Sequence, residues 1–400
     1  MKLTAEEQAM LDGAQGRATQ KAMQILLALG TIYGAEGLIP VSSVQVAGVS
    51  YDNLGEAGLA FLAEMADGGG KAQVLATLNP AGMDIQSWQS LGIPPDFAEK
   101  QLAVINAFEQ MDIQATCTCT PYLVGNLPGY GEHIAWSESS AVCYANAVLG
   151  ARSNREGGPS ALAAALTGRT PDYGLHRSEN RQPGLSVTVK ACLRENTDFG
   201  ALGKVIGEHI QATKAVPYII GVDNASLEQL KSFCASLATY GGAALFHMPG
   251  ITPEANQHQA PAESLTITQA DLEAASRSLS DAAEEEVDFV SLGCPHLTLT
   301  EIARIAKILE GKQVTREFWI TTARPVKQMA DQLGYSRIIT AAGAKIAADT
   351  CCVVAPIKRR FTALAADSAK ACYYAAGKNK FKTLFLPFDE VVKLAVRERR

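Results

Sequence analysis

Short apolar runs alternate with amphipathic helical runs along almost the whole chain, and this alternation is the feature that most constrains the fold. The strand-like runs are rich in β-branched residues and include "LIPVSSVQVA", "AQVLATL", "LSVTVKACL", "VPYIIGV", "AALFHM", "VDFVSLG" and "EFWITT". Helical runs lie between them, such as "PDFAEKQLAVINAFEQM", "SLEQLKSFCASLATY" and "TLTEIARIAKILEG". The pattern predicts an α/β fold with largely parallel sheets.

Helix starts are marked by capping boxes. Thr4 precedes Glu7 by three residues, and "TLTEIARIAKILEG" opens with a second box of the same kind. We expect the first helix to continue through Leu26 and to stop at Gly30.

The chain has 400 residues, which is too long for one doubly wound sheet. We therefore expect two or three α/β layers around a shared cleft within residues 1–400, with uncertain boundaries. The segment "PGITPEANQHQAPAESLTIT" after Met248 is predicted to be a loop or linker. The sequence has no GxGxxG or Walker-type loop, which argues against the simplest nucleotide-binding sites.

Composition narrows the class of protein. The formal charge of -6 and the lack of a basic stripe argue against nucleic-acid binding. No signal-peptide pattern and no apolar run near the roughly 20 residues of a membrane span are present. The nine cysteines follow no disulfide-framework spacing, so we expect a cytoplasmic protein with free thiols. Of these, Cys143, Cys192 and Cys234 lie in apolar patterns and are expected to be buried.

Polar or thiol-bearing residues follow several strand-like runs, where ligands bind in open α/β sheets. Three thiol-bearing loops could converge on one iron–sulfur cluster or other metal, although the spacing alone favours buried or incidental thiols. Three cysteine ligands would leave one metal position open, as Lewis-acid chemistry on a hydroxyl requires. The positions are Gly48, Val49 and Ser50, Asn79 and Pro80, Cys117 and Cys119, Cys294 and His296, and Cys351 and Cys352.

Other segments carry groups suited to an acidic ligand. Glu138, Ser139 and Ser140 stand where an apolar helix begins, so hydroxyls and free N–H groups there could bind a carboxylate or phosphate, or simply cap the helix. Several cationic or polar side chains could serve as anion ligands or have structural roles. They are Arg152, Asn154, Arg155, His176, Arg177 and Lys370.

Several long motifs of this chain resemble the large subunit of the aconitase X family. They include "IPVSSVQVAGVSYDNLGEAGL", "TLNPAGMD", "TCTPYLVGNLPGYGEHIAWSESSAV", "GARSNREGGPSALAAALTGRTPDYGLHRSENR", "SLGCPHLTLTEI" and "DTCCVVAP", in one order from Met1 to Arg400. The resemblance implies an aconitase-like arrangement of three α/β domains around a cleft that holds an iron–sulfur cluster. It also implies a hydro-lyase.

The resemblance assigns roles to residues of this chain. It implies that Cys119, Cys294 and Cys351 bind the metal, with Cys117 and Cys352 as neighbours, although Cys352 remains an alternative ligand. It implies a substrate-binding set of Gly48, Val49, Ser50, Asn79, Pro80, Glu138, Ser139 and Lys370.

The same resemblance implies a partner. Aconitase-like enzymes take their catalytic base from a Gly-Arg-Gly-Ser-type loop on a small swivelling domain, and this chain contains no such string. We therefore expect a separate small subunit, a heterodimer, and no catalytic base on this chain.

Two substrates are consistent with the family: cis-3-hydroxy-L-proline and mevalonate 5-phosphate. The charged fraction of 19% is not typical of a hyperthermophile, which favours the hydroxyproline activity. An alternative of another class is a non-catalytic metal-binding scaffold subunit, for example one that holds zinc.

Overall fold

The first part of the chain forms a parallel sheet flanked by helices. In the computed structural model, which describes residues 1–397, the strands of this sheet lie in the order β3 (Leu75–Leu78), β2 (Ser43–Val46) and β4 (Ala135–Trp136). Two further strands, β1 and β5, pair antiparallel at its side. The elements are β1 (Leu38–Pro40), β2 (Ser43–Val46), β3 (Leu75–Leu78), β4 (Ala135–Trp136), β5 (Arg169–Pro171), α1 (Ala5–Leu11), α2 (Arg17–Ile32), α3 (Tyr51–Asp67), α4 (Pro95–Gln110), α5 (Ser139–Tyr144) and α6 (Gly158–Thr167).

The middle part forms a second parallel sheet, in the order β7–β6–β8. Its helices pack closely on one another, and the α7–α8 contact is the most extensive helix pairing of this part. The elements are β6 (Leu185–Val189), β7 (Pro217–Ile220), β8 (Ser264–Ile267), α7 (Asn196–Ile210), α8 (Leu227–Gly241) and α9 (Gln269–Ser278).

The last part forms a five-stranded parallel sheet, in the order β11–β10–β9–β12–β13. The elements are β9 (Phe289–Leu297), β10 (Glu317–Thr322), β11 (Lys345–Ala348), β12 (Ala363–Ala366), β13 (Lys382–Phe385), α10 (Leu299–Leu309), α11 (Arg324–Gln332), α12 (Tyr335–Ala341), α13 (Ala369–Tyr374) and α14 (Phe388–Val396). The expected α/β fold with largely parallel sheets is confirmed.

Each of the three main sheets has its own apolar core, and a further core joins the first sheet region to the last. In this joint, Met83 and Ile93 of the first region pack with Phe289 and Trp319 of β9 and β10. The buried contact fixes the first and third sheets relative to each other, so their loop ends can form one site.

The capping boxes are confirmed, but the extent of the first helix is not. Thr4 and Glu7 cap each other as predicted, with N···O distances of 2.8 and 3.2 Å. The helix ends at Leu11, however, because Gly13 and Gly16 adopt positive φ angles of 89° and 95°. A separate helix, α2, then carries the apolar face and runs past Gly30 to Ile32.

Four further expectations differ from the structure. The end of the predicted loop after Met248 forms β8 (Ser264–Ile267). The run "AALFHM" forms only a one-residue bridge, between His247 and Tyr218, and the rest of the run is not strand. Cys294 lies inside β9 rather than after it. Cys192 is exposed, whereas Cys143 and Cys234 are buried as expected. No helix among the described residues is long and apolar enough to span a membrane.

Candidate functional site at the facing ends of two sheets

Three of the predicted segments lie at the carboxyl ends of the first sheet. Gly48, Val49 and Ser50 follow β2, and Asn79 and Pro80 follow β3. Glu138 caps the start of α5, two residues after β4. Because these strands are parallel and adjacent, their ends bring the three segments to one edge.

The remaining predicted segments come from the third sheet. Cys351 follows β11, and Lys370 lies in the first turn of α13, just after β12. Cys294 stands in β9, where the register with β10 shifts. A Cβ atom on the preceding Gly293 would lie 2.2 Å from the carbonyl oxygen of Thr321, so the close approach of β10 requires glycine there.

A buried ion pair joins the two sheets. The Lys370 ammonium binds the carboxylate of Glu138, which also accepts hydrogen bonds from Asn79 Nδ2 at 2.8 Å and from the Ser140 hydroxyl at 3.0 Å. Burial alone would raise the pKa of Glu138, but Lys370 and the hydrogen bonds outweigh it and lower the pKa to about 2. Burial opposes the charge of Lys370, yet Glu138 raises its pKa above the ordinary value. Both groups are therefore charged at neutral pH.

The three predicted metal-binding thiols come together beside this ion pair. All three cysteines are free of disulfides. Burial raises the pKa of Cys119 well above its ordinary value and raises the pKa of Cys294 to about 12, and in both cases the neighbouring Cys351 raises it further. Thiols in such surroundings stay protonated unless a cation replaces the protons, which is the behaviour of buried metal ligands.

The spacing of these thiols argues against a single metal ion. Around one tetrahedral ion with metal–sulfur bonds of about 2.3 Å, the ligand sulfurs would lie about 3.8 Å apart. The sulfurs of Cys119, Cys294 and Cys351 do not all lie within 4.8 Å of one another. Among the described residues, a different group of potential ligands meets that distance. The cysteine donor set fits a larger iron–sulfur group better than a zinc ion.

His296 connects the loops that carry the thiols, a role that the sequence did not indicate. Its backbone N–H donates to the sulfur of Cys119 at 3.2 Å. One ring nitrogen binds the Thr118 hydroxyl at 2.9 Å, and the other donates to the Thr350 carbonyl at 2.9 Å. Burial lowers the pKa of His296 to about 4, so the ring is neutral. The sequence signal for this residue is its place directly after Cys294-Pro295.

A second set of buried contacts joins the loop ends of the first and third sheets. Arg324, at the start of α11, forms an ion pair with Asp84 at 2.7 Å and a second ion pair with Asp349. The Ser50 hydroxyl donates to the Val354 carbonyl at 2.8 Å. These contacts fix the loop of Cys351 against the first sheet.

Some polar groups at the site are left without partners. Asn79 Oδ1 is buried and has no hydrogen-bond partner among the described residues. The Ser139 hydroxyl likewise forms no hydrogen bond within residues 1–397, because the capping role at α5 is taken by Glu138. A Cβ atom on Gly48 would meet no atom within 4 Å, so the space beside β2 is open. Unpaired groups beside open space are what a polar ligand requires.

Two of the other predicted anion-binding groups, Asn154 and Arg152, form hydrogen bonds with the local backbone. Asn154 is bound to the backbone of Tyr173 and Leu175, and Arg152 Nη1 donates to the His176 carbonyl at 2.9 Å. Arg155 is exposed. Cys117 and Cys352 lie in apolar cores.

Comparisons with known proteins agree with this architecture. The aconitase X first-, second- and third-domain family models match residues 1–179, 183–277 and 287–397. The phosphomevalonate dehydratase large subunit of Methanothermobacter thermautotrophicus is 45% identical over 379 residues, 94% of each chain. The cis-3-hydroxy-L-proline dehydratase of Pseudomonas aeruginosa is 34% identical over 415 residues, 100% of this chain and 70% of that protein.

The fold has a solved counterpart. The crystal structure of Thermococcus kodakaraensis aconitase X in its holo-form has a TM-score of 0.92 and 43% sequence identity, with 99% of this chain and 100% of that chain covered. Together with the three family models, these similarities show that the chain belongs to the aconitase X family of hydro-lyases.

Proposed function

We propose that this chain, together with a small partner subunit, removes water from mevalonate 5-phosphate. The observation that carries the proposal is the identity of 42–45% with four phosphomevalonate dehydratase large subunits. Two cis-3-hydroxy-L-proline dehydratases and a fifth phosphomevalonate dehydratase large subunit are 34% identical. The low charged fraction favoured the hydroxyproline activity, but composition reports adaptation to temperature rather than substrate. Identity over the whole chain is the stronger indicator.

We assign the cofactor site to Cys119, Cys294 and Cys351, as an iron–sulfur cluster site. When bound there, an iron atom that is not fully ligated by cysteine would act as a Lewis acid towards the departing hydroxyl group. The ring and backbone of His296 hold the three cysteine loops in register for this group. The thiol protons would be displaced on binding.

Substrate binding is assigned to the ion pair and its surroundings. An ammonium group has three N–H donors, and Glu138 is the hydrogen-bond partner of Lys370 among the described residues. The remaining donors and the Ser139 hydroxyl suit the substrate carboxylate, whereas the unpartnered Asn79 Oδ1 can accept a hydrogen bond from the substrate hydroxyl. Glu138 keeps Lys370 charged and in place.

The base that removes the proton is assigned to the small partner. With a pKa of about 2, Glu138 is too weak a base for this step. Lys370 is protonated, and both ring nitrogens of His296 are already hydrogen-bonded. An added subunit can supply the missing group when its domain closes over the cleft.

The test is product formation by the complex. The chain is co-expressed with the small subunit, purified without oxygen and given mevalonate 5-phosphate, while mevalonate without phosphate serves as the matched substrate. We expect a product lighter by one water, detected by mass spectrometry, from the phosphorylated compound alone. Equal turnover of mevalonate, or turnover by the single chain, would contradict the proposal.

A further inference from the structure

Two histidines and a carboxylate meet in the second sheet region, apart from the cysteine site. His247 pairs with Tyr218 at the edge of β7, and Glu254 and His258 lie in the loop that follows. One potential ligand atom from each of the three residues lies within 4.8 Å of the other two. The loop belongs to the segment "PGITPEANQHQAPAESLTIT".

The hydrogen bonds of His247 fix which ring nitrogen is free. Its Nε2 lies 2.7 Å from the carbonyl oxygen of Arg181. A carbonyl oxygen only accepts, so Nε2 carries the proton and Nδ1 keeps a lone pair. The side chain is 0% exposed, and Nδ1 has no hydrogen-bond partner among the described residues. A buried lone pair without a partner is costly unless a ligand uses it.

His258 is oriented in a complementary way. Its Nδ1 lies 3.1 Å from Gln182 Oε1, which accepts the Nδ1 proton and leaves Nε2 with a lone pair. Both imidazoles thus donate one N–H to a neighbouring oxygen and present the other nitrogen unprotonated. This is the outer-shell pattern of metal-binding histidines.

Glu254 supplies the carboxylate. Both of its oxygens accept from Arg181 Nε, at 2.8 and 3.2 Å, so its position is fixed by this ion pair. A carboxylate has about four lone-pair positions, and the arginine does not use all of them. The charge of Arg181 lowers the affinity for a cation without removing the ligand.

We propose that His247, Glu254 and His258 bind one divalent transition-metal ion of the zinc class. Two imidazoles and a carboxylate match the preferences of such ions, and water can fill the fourth position. A tetrahedral ion with bonds of about 2.0–2.1 Å places its ligand atoms about 3.3 Å apart, and the potential ligand atoms of these three residues already lie within 4.8 Å of one another.

The ion would stabilise the part of the second sheet region that supports the catalytic site. Arg181 also binds the backbone carbonyls of Asn146 and Ala151, at 3.1 and 3.2 Å. Asn146 lies in the π-helical turn directly after α5, the helix that begins at Ser139. A metal ion that links the loop to β7 would fix Glu254, and Glu254 holds Arg181 in contact with the turn that follows α5. Its role is structural, and it does not depend on the proposed substrate.

The test is cobalt binding by the full chain. Wild type and a Cys119→Ser, Cys294→Ser, Cys351→Ser variant are stripped with a chelator and titrated with Co²⁺. We expect one ion per chain in the triple variant, with visible d–d absorption, no thiolate-to-cobalt charge-transfer band, and displacement by Zn²⁺. A folded triple variant that binds no Co²⁺ would overturn the proposal, as would thiolate bands accounting for all the bound Co²⁺ in wild type.

Single variants locate the site. His258→Ala, at the half-exposed ligand, and Gln182→Ala, at its outer-shell partner, should each weaken Co²⁺ binding by about tenfold or more. The matched control is His209→Ala, which removes an exposed imidazole elsewhere and should bind as wild type does. Zn²⁺ should also raise the Tm of the control and not that of His258→Ala. Unchanged affinity in a folded His258→Ala protein would refute the site.

Discussion

Glu138, at the start of α5, and Lys370, in the first turn of α13, form a buried ion pair that joins the first sheet to the third. The two side chains are each about 10% exposed and stand 232 residues apart in the sequence. Their contact brings the proposed substrate-binding segments beside the cysteines.

Lys370→Met should destabilise the protein and abolish activity. The substitution leaves the Glu138 carboxylate buried without its cation, which costs about 3–5 kcal/mol. Denaturant unfolding of the cluster-free chain measures this cost. The matched control is Lys393→Met, because Lys393 pairs with Glu390 at the surface and should contribute less than about 1 kcal/mol. Equal effects of the two substitutions would show that the buried pair has no special role.

Substitution of each proposed metal ligand should remove iron. Cys119→Ser, Cys294→Ser and Cys351→Ser should each lose the visible spectrum and most of the iron of protein purified without oxygen. Cys352→Ala serves as the control, since that thiol packs in an apolar core beside Cys351. Loss of iron from Cys352→Ala with retention in Cys351→Ser would reverse the assignment of the ligand.

Ser139→Ala should weaken substrate binding and leave the rest of the protein unchanged. The hydroxyl has no partner within residues 1–397, so its removal costs no internal hydrogen bond. We expect KM to rise about tenfold, because the substrate loses one hydrogen bond to a charged group. Tm and the cluster spectrum should stay as in wild type. Ser137→Ala is the control, because its hydroxyl is already bound to the Gly157 carbonyl. A KM unaffected by Ser139→Ala would remove this residue from the substrate site.

Glu156→Gln should stabilise the protein at neutral and higher pH. Burial raises the pKa of Glu156, and the hydroxyls of Ser160 and Thr170 only partly offset it. A carboxyl whose folded pKa is raised destabilises the fold as pH rises from the unfolded value through the folded one. The gain in Tm from Glu156→Gln should therefore be largest at pH 8 and shrink towards pH 4.5, the ordinary pKa of Glu.

A control separates this effect from a general change of charge. Glu179 is exposed, so Glu179→Gln should change Tm little at any pH in that range. A pH-independent gain in Glu156→Gln would show that the carboxyl is not the titrating group.

Local structure could be predicted where local chemistry decides it. The capping box of Thr4 and Glu7 and the parallel strands follow from residue types and spacing. The break after α1 does not follow from the apolar periodicity, which resumes at α2; the turn at Gly13 and Gly16 produces it.

The convergence of the site could not be predicted from spacing. Cys119 belongs to the first sheet region and Cys351 to the third, and their proximity depends on the apolar joint and on contacts such as Arg324 with Asp84. The resemblance to a family supplied that information. It did not indicate His247 and His258, which meet only because an irregular loop folds back on the sheet edge.

The most direct test of the central claim is a parallel assay of two substrates. The chain, co-purified with the proposed small subunit without oxygen, is given mevalonate 5-phosphate and cis-3-hydroxy-L-proline separately, and iron is quantified on the same sample. We predict turnover of mevalonate 5-phosphate by the iron-loaded complex, with kcat/KM far above that for the hydroxyproline. Preferential turnover of cis-3-hydroxy-L-proline, or turnover of neither by an iron-loaded complex, would contradict the account.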